Sequence, residues 1–206
     1  MTGQDVKEKL FEQLQPHLPG FKPRKKEDSF ARTITGGSQF IGVALVDHRP
    51  LFKFSLPVST RIEEVEEIIN RFSGSPRKYH HLTLTTATLL GYFYGESEDK
   101  EFKVRSHEEI EAAIADVAPV LRDRILPFLD SHQTVQSLDA VVNGPEGPRF
   151  VRTNPPYRQM HALILARLAG NPRFDALAEA ALAEARGWLP QNAKKLDAVV
   201  AHLRTL

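Results

Sequence analysis

The sequence predicts an α+β fold, in which a mainly antiparallel β-sheet packs with helices and a C-terminal three-helix segment follows. Apolar and polar side chains alternate at residues 28–35 and 51–58, as they do in strands. On either side of these stretches, apolar residues recur at spacings of three and four, as they do in amphipathic helices. After the stretch "GPEGP" the composition shifts to alanine and arginine. We therefore expect an α+β domain over residues 1–143, a linker over residues 144–154 and a helical tail over residues 155–206.

The first elements are a helix and a group of strands. Apolar residues at spacing four predict a helix over residues 4–17. A strand follows at residues 28–35, and Gly36 and Gly37 suit a two-residue hairpin turn, because glycine adopts positive φ without strain. The return stretch "QFIGVALV" has apolar residues at both odd and even positions, which predicts one central strand that is buried on both faces.

Capping patterns predict where the next helices begin. Thr60 followed by Glu63 predicts a helix over "RIEEVEEIINRF", and Ser106 followed by Glu109 predicts a long helix. Between them, residues 86–105 are expected to form a second hairpin. Pro119 interrupts the long helix and predicts a kink there. In the tail, the prolines of "NP" pairs and Pro190 predict helices over residues 155–169, 172–186 and 190–204.

Composition excludes several classes of function. The chain of 206 residues is 41% hydrophobic and 26% charged, and its net charge is +1, so no global field attracts nucleic acid or an anionic membrane. It contains no cysteine, which excludes disulfides, thiolate metal sites and cysteine nucleophiles. The opening "MTGQDVKEKLFEQL" resembles no signal peptide, and no stretch has the length of a membrane span. We expect a cytoplasmic protein without membrane association.

The stretch "KYHHLTLTTATLLGYFYG" at residues 78–95 concentrates the most reactive side chains. In a strand, His80 and His81 point to opposite faces and do not bind one metal together. The period-two pattern favours a structural role, with leucines toward the core and threonines toward solvent or a helix. The alternative is a polar groove formed by His81, Thr83 and Thr85, which would suit a hydrolase or transferase.

Other catalytic and binding motifs are missing. The chain contains neither of the glycine-rich phosphate-binding motifs GxGxxG and GxxxxGK[ST]. It also lacks the GxSxG motif of a nucleophilic serine and the HExxH zinc motif, and its remaining histidines match no metal-binding spacing. The carboxylates of "EEVEE" and "HEEIE" are predicted on exposed helix faces. We therefore assign no catalytic residue, no cofactor and no metal.

Two basic clusters form a candidate interaction surface. Arginine interleaved with aromatic residues favours protein hot spots and single-stranded nucleic acid. Because the chain is nearly neutral, a solvated linker with ordinary charges is the leading interpretation of the second cluster; if the cluster binds a partner, we expect a protein, and weak nucleic-acid binding through residues 149–158 is a further alternative. The residues of this surface are Lys22, Arg24, Lys25, Arg149, Arg152, Tyr157 and Arg158.

Two stretches resemble a bacterial family known as domain of unknown function number 4304. These are "GFKPRKKEDSFART" and "VRSHEEIEAAIADVAPVLRDRILPFLDSHQTVQSLDAVVN", and the resemblance covers residues 6–143. It implies a compact bacterial α+β domain of unassigned role and brings no catalytic residues. With the missing motifs, it favours a non-catalytic binding or interaction module, of the kind that neutralises or regulates a partner protein. An antiparallel sheet with a free edge would suit strand addition by such a partner.

Overall fold

The computed structural model describes residues 1–151 and 153–206. The strands are β1 (Lys22–Arg24), β2 (Ser29–Ile34), β3 (Gly37–Gly42), β4 (Ala44–His48), β5 (Leu51–Ser55), β6 (Val58–Ile62), β7 (Thr86–Thr88) and β8 (Phe102–Val104). The α-helices are α1 (Gly3–Leu14), α2 (Glu63–Ser73), α3 (Leu90–Tyr94), α4 (His107–Val120), α5 (Leu126–Ser131), α6 (Val135–Val142), α7 (Tyr157–Leu168), α8 (Phe174–Ala185) and α9 (Pro190–Leu203). One sheet has the strand order β1-β2-β3-β6-β7 and the other has the order β4-β5-β8. The pairs β1–β2, β4–β5 and β5–β8 are antiparallel, so the predicted α+β class with a helical C-terminal segment is confirmed.

The chain forms two compact units, each built from separate stretches of sequence. Unit 1 consists of Met1–Ile34, Ser38–Thr60 and Thr88–His132. Unit 2 consists of Thr35–Gly37, Arg61–Ala87 and Gln133–Leu206. The sequence-based boundaries at residues 143 and 155 stay a prediction, and both fall inside the last stretch of unit 2. Within that stretch Gly147 is buried, and a side chain there would meet the carbonyl oxygen of Val142.

Unit 1 buries an aromatic core between helices and the three-stranded sheet. The central strand β5 pairs Phe52 with Val104 and Phe54 with Phe102, and the rings of Phe54 and Phe102 lie 5.1 Å apart. All four side chains are buried, as is the apolar stripe of α1. Burial of such aromatic and aliphatic side chains stabilises this unit.

Unit 2 is organised around α7. This helix contacts α2, α6, α8 and α9, and it buries Met160, His161 and the run from Leu163 to Ala166. A helix that is apolar on nearly all sides is typical of a core position. Small buried residues on α8, Ala178 and Ala181, leave room for neighbouring helices. No helix within the described ranges has both the length and the apolar character needed to cross a membrane.

The prediction of one central strand over "QFIGVALV" is wrong. The stretch forms β3 and β4, which belong to different sheets, and the chain bends between them. Gly42 donates its N–H to the Pro57 carbonyl oxygen at 2.8 Å, and Val43 donates to the Asp28 carbonyl oxygen at 2.7 Å. A side chain at Gly42 would lie 2.9 Å from Pro57, so glycine permits this close approach.

The prediction of a strand through His80 and His81 and of a hairpin over residues 86–105 is also wrong. Residues Arg77–Leu82 form a 3₁₀ helix, Thr86–Thr88 forms the short strand β7, and α3 separates it from β8, which lies in the other sheet. In α3, Leu90 and Phe93 are buried at helical spacing, and Gly95 ends the helix at φ 79°. The alternation of threonine and leucine at residues 82–86 therefore does not indicate a strand here.

Helix boundaries agree with the sequence in most places. Ser106 caps α4 and Pro190 is the first residue of α9, as predicted. After Pro119 the chain continues into a π-helical turn at Leu121–Ile125, which is a local change of helix type at the predicted position. Thr60 does not cap α2, because it is buried in β6 and the helix begins three residues later, at Glu63, after Ile62 at the N-cap position.

Candidate binding cavity

A cavity of about 410 Å³ in unit 2 is the candidate functional site. Its wall is formed by the end of α2, by the segment from Leu82 to Ala87, by Val151 and by the stretch from Thr153 to His161. The lining residues are Ile69, Ser73, Ser75, Leu82, Thr83, Leu84, Thr85, Ala87, Val151, Thr153, Tyr157 and His161. Thr83 and Thr85 of the predicted polar groove are therefore part of the wall, together with a histidine from a distant helix.

Arg61 holds one side of this wall in place. Its side chain is 9% exposed and pairs with the Glu63 carboxylate through Nε at 2.9 Å and Nη2 at 2.7 Å. Nη1 donates to the carbonyl oxygens of His80 at 2.9 Å and Thr83 at 2.6 Å, and also to the Thr83 hydroxyl at 2.8 Å. The guanidinium thereby takes up carbonyl groups that a sheet ladder would otherwise use. This explains why the chain here does not extend into a strand.

A buried carboxylate–imidazole pair lies behind the wall. Glu66 is 0% exposed and His161 is 4% exposed, and Oε1 of Glu66 lies 3.3 Å from Nε2 of His161. The Thr85 hydroxyl accepts a hydrogen bond from the Ile62 N–H at 2.9 Å and donates to the same Oε1 at 2.8 Å. The other oxygen, Oε2, has no hydrogen-bond partner in the part of the chain that the structure describes.

Both ring nitrogens of His161 have partners inside unit 2. Nδ1 lies 2.8 Å from the Tyr157 carbonyl oxygen, one helical turn earlier, while Nε2 lies 3.3 Å from Oε1 of Glu66. Both ring nitrogens thus face acceptors. Burial raises the pKa of the Glu66 carboxyl, but the hydrogen bond and charge of His161 and the Thr85 hydroxyl lower it by more. The net pKa of Glu66 lies below its usual value, so the carboxylate form is stabilised.

A second polar cluster joins α9 to the lining residue Tyr157. The Tyr157 hydroxyl donates to the Ser73 carbonyl oxygen at 2.9 Å. Lys195 Nζ donates to the same carbonyl oxygen at 2.7 Å and to the Tyr157 hydroxyl at 3.1 Å. The ammonium also lies 5.3 Å from the centre of the Tyr157 ring. No ion pair within the described ranges includes Lys195.

The polar atoms of the inner wall are committed to partners within the protein. The Thr83 hydroxyl donates to the His80 carbonyl oxygen and accepts from Arg61 and Asn70. The hydroxyl hydrogens of Thr85 and Tyr157 also have internal acceptors. What remains for a ligand is methyl groups, ring faces and aliphatic side chains, while the lining residues Ser75 and Thr153 are exposed. The inner surface is therefore effectively apolar despite its hydroxyl-bearing residues.

The segments that line the cavity carry only positive charge. Residues 69–87 and 151–161 contain no Asp or Glu, although 26 of the 206 residues of the chain are acidic. They contain five basic residues, Arg71, Arg77, Lys78, Arg152 and Arg158. Of these, the four that the structure describes form no ion pair with another described residue.

The remaining sequence-predicted residues lie on exposed surface. His81 is exposed on the 3₁₀ helix and does not line the cavity, while Nε2 of His80 lies 2.8 Å from the Ser75 carbonyl oxygen. Lys22 and Arg24 are exposed on β1 beside exposed Lys25, and Arg24 pairs with Glu27 at 3.3 Å.

The second predicted basic cluster is divided between different surroundings. Arg149 lies 4.0 Å from Glu146, and Arg152 lies outside the described residues. Arg158 is exposed and lines a separate cavity of about 270 Å³. Tyr157 is half-buried, its hydroxyl is hydrogen-bonded within unit 2, and it lines the cavity of about 410 Å³ rather than the surface near Arg158.

Sequence reasoning missed Glu66, His161 and Lys195. Glu66 stands in "EEVEE", which we expected to be solvated, but its position is four residues after Ile62 and three before Ile69, on the apolar stripe of α2. His161 lies within the apolar stretch "MHALILA". A charged residue on an apolar stripe is a signal of buried pairing. Nothing in "NAKKLD" distinguishes Lys195 from its neighbour Lys194.

No group of three or more metal-binding side chains occurs within the described ranges. Comparison of the chain with protein-family models, with curated proteins and with solved structures gives no match. The resemblance to the family of unknown function therefore stays a prediction.

Proposed function

We propose that the protein is a binding module whose cavity in unit 2 holds the apolar part of a small ligand. The observation that carries this proposal is the commitment of the inner polar atoms to internal hydrogen bonds, which leaves an apolar lining in a cavity of about 410 Å³. Binding sites for small molecules typically enclose roughly 300–1,000 Å³ and are mainly apolar. The cavity is at the lower end of this range, which favours a short ligand.

The geometry of His161 supports binding rather than acid–base catalysis. A histidine that acts as a general base uses one ring nitrogen for its orienting carboxylate and presents the other to the substrate. In His161 the second nitrogen faces the Tyr157 carbonyl oxygen of its own helix. The Thr83 hydroxyl hydrogen is likewise used internally, by the His80 carbonyl oxygen. A protein partner and a cytoplasmic location, both predicted from the sequence, are compatible with this proposal and stay predictions.

Titration with 1-octanol tests the proposal, because this alcohol supplies an apolar chain without charge. We expect saturable binding by calorimetry, with chemical-shift changes concentrated at the methyl groups of Ile69, Leu82, Leu84 and Val151. The substitution Ala87→Leu fills the cavity from its wall and should weaken binding about tenfold or more, since a tenfold loss corresponds to only about 1.4 kcal/mol.

The matched control is Ala198→Leu, which makes the same change at an exposed position of α9 and should leave octanol binding unchanged. Leu84→Phe is a second filling variant, for the case in which Ala87→Leu disturbs the short strand β7. Absence of saturable binding to the folded protein, or equal binding by the filled variants and the control, would overturn the proposal.

A further inference from the structure

We infer that the ligand of this cavity is an amphiphilic monocarboxylate, with its apolar chain against the lining and its carboxylate beside Lys195. This inference rests on the proposed binding function and adds the chemical class of the ligand. It follows from three features of unit 2: the charge of the lining segments, the state of Glu66 and the hydrogen bonds of Lys195.

The charge of the lining segments favours an anion over a cation. The lining segments contain no acidic residue, and the four basic residues that the structure describes in them, Arg71, Arg77, Lys78 and Arg158, are exposed beside the cavity rather than part of its lining, which favours a positive local potential. A positive field attracts anionic ligands and repels amines of the same length.

Glu66 is not in contact with the cavity. Its carboxylate is buried, is not a lining residue and lies 3.3 Å from His161 Nε2. Oε1 is taken up by His161 and the Thr85 hydroxyl, so Glu66 has its partners inside unit 2 and does not face the ligand.

Lys195 is the group best placed to bind the carboxylate. An ammonium has three N–H donors, and Lys195 uses two of them for the Ser73 carbonyl oxygen and the Tyr157 hydroxyl. Ser73 and Tyr157 are both lining residues whereas Lys195 is not, so the third donor belongs to a cation directly behind these two residues of the cavity wall. The side chain is half-buried and has no carboxylate partner among the described residues, which strengthens its attraction for an incoming anion.

Three ligands of the same chain length test the inference: octanoate, 1-octanol and octylamine. At neutral pH and low salt we expect octanoate to bind about tenfold more tightly than octanol, and octylamine to bind most weakly. The advantage of octanoate should shrink as salt is added, because exposed charges are screened. Lys195→Gln should remove this advantage, measured as the ratio of octanoate affinity to octanol affinity of the same variant.

The matched control is Lys194→Gln, which makes the same change of net charge at the neighbouring, exposed residue and should retain the preference for octanoate. Tyr157→Phe keeps the ring but removes one of the two acceptors that orient the ammonium, so it should reduce the preference without filling the cavity. This variant keeps the inference testable if Lys195→Gln fails to fold.

The outcomes distinguish a failure of the inferred ligand class from a failure of the proposed binding function. Equal affinity for octanoate and octanol overturns the inference and leaves the proposed function standing. Failure of all three ligands to bind overturns the proposed function itself. Equal loss of preference in Lys194→Gln and Lys195→Gln overturns the assignment of the carboxylate site to Lys195.

Discussion

Glu66 shows that the environment of a residue, rather than its type, decides its role. Four glutamates stand between residues 63 and 67, and three of them are exposed, as a solvated helix face requires. Glu66 alone of these four is buried, and it is matched by His161 and the Thr85 hydroxyl. A buried charge is tolerated only with such partners, because desolvation of an unpaired carboxylate costs several kcal/mol.

The first prediction concerns the energy of this pair. Glu66→Leu and His161→Leu each leave one polar partner buried and unpaired, and each should lower the free energy of unfolding by about 3–5 kcal/mol. The double variant replaces both partners with apolar groups and should be more stable than either single variant. Urea denaturation of the parent, the two single variants and the double variant measures these free energies of unfolding. The control is Glu67→Leu on the exposed face of α2, whose free energy of unfolding should stay within about 0.5 kcal/mol of the parent. Simple addition of the two single effects would show that the residues do not interact.

The second prediction follows from the lowered pKa of Glu66. A carboxyl whose pKa is lower in the folded state contributes stability above its unfolded pKa and loses it as the pH falls through the folded pKa. We therefore expect the stability difference between the parent and Glu66→Gln to shrink as the pH falls below 4.5, the usual value for a glutamate. Thermal unfolding at a series of pH values measures this difference. A difference that grows on acidification would contradict the direction of the shift.

At the scale of elements, the cap of α4 was predictable because its signal is local, whereas the similar pattern at Thr60 did not form a cap. Ser106 accepts a hydrogen bond from the Glu109 N–H at 3.3 Å, while the Glu109 carboxylate accepts from the Arg105 N–H at 2.5 Å, one residue before the expected donor. The sequence pattern thus identified the start of α4 correctly. In the reciprocal hydrogen bond of the capping pattern, however, the donor to the Glu109 carboxylate is Arg105 and not Ser106.

The third prediction tests this cap. Ser106→Ala removes the oxygen that accepts from the first turn of α4 and should cost about 1 kcal/mol. Ser106→Asp retains an acceptor oxygen and should stay close to the parent. The midpoint of urea unfolding, at unchanged m value, measures both variants. If both substitutions were equally harmful, the loss would lie in packing around Ser106 rather than in its hydrogen bond.

Elements that depend on distant partners were not predictable. The alternation of leucine and threonine at the end of the 3₁₀ helix Arg77–Leu82 suggested a strand. In the structure, Arg61, which is distant in sequence, donates hydrogen bonds to the His80 and Thr83 carbonyl oxygens. Likewise, the bend at Gly42 depends on Pro57. Local periodicity carries no information on such contacts, which is why the cavity was only half foreseen, through Thr83 and Thr85.

At the scale of the whole molecule, the fold class followed from the order of periodic stretches, but the composition of the units did not. Unit 2 joins Arg61–Ala87 to Gln133–Leu206, and its helix α2 contacts α7 and α9. The two stretches are far apart in the sequence, so no local pattern indicates that they pack together. The composition shift after residue 143 is a local signal and suggested a boundary instead.

The fourth prediction is that residues 1–143 do not fold completely as a fragment. Without α7 and α9, the buried side chains Val65 and Ile69 of α2 lose the helices that contact this element. We expect rapid amide hydrogen exchange in α2 and binding of an apolar dye by the fragment, with neither in the full chain. Slow exchange throughout α2 in the fragment would instead support an independent N-terminal domain.

The long separation between α2 and α7 has a consequence for the nascent chain. Translation proceeds at roughly 5–20 residues per second, so the ribosome needs on the order of ten seconds to move from residue 73 to residue 157. During that interval the apolar stripe of α2 is already outside the exit tunnel or close to it, while its covering helix has not been made. Chaperones that shield exposed apolar segments during synthesis should therefore engage this protein through α2, and release it when the last helices emerge.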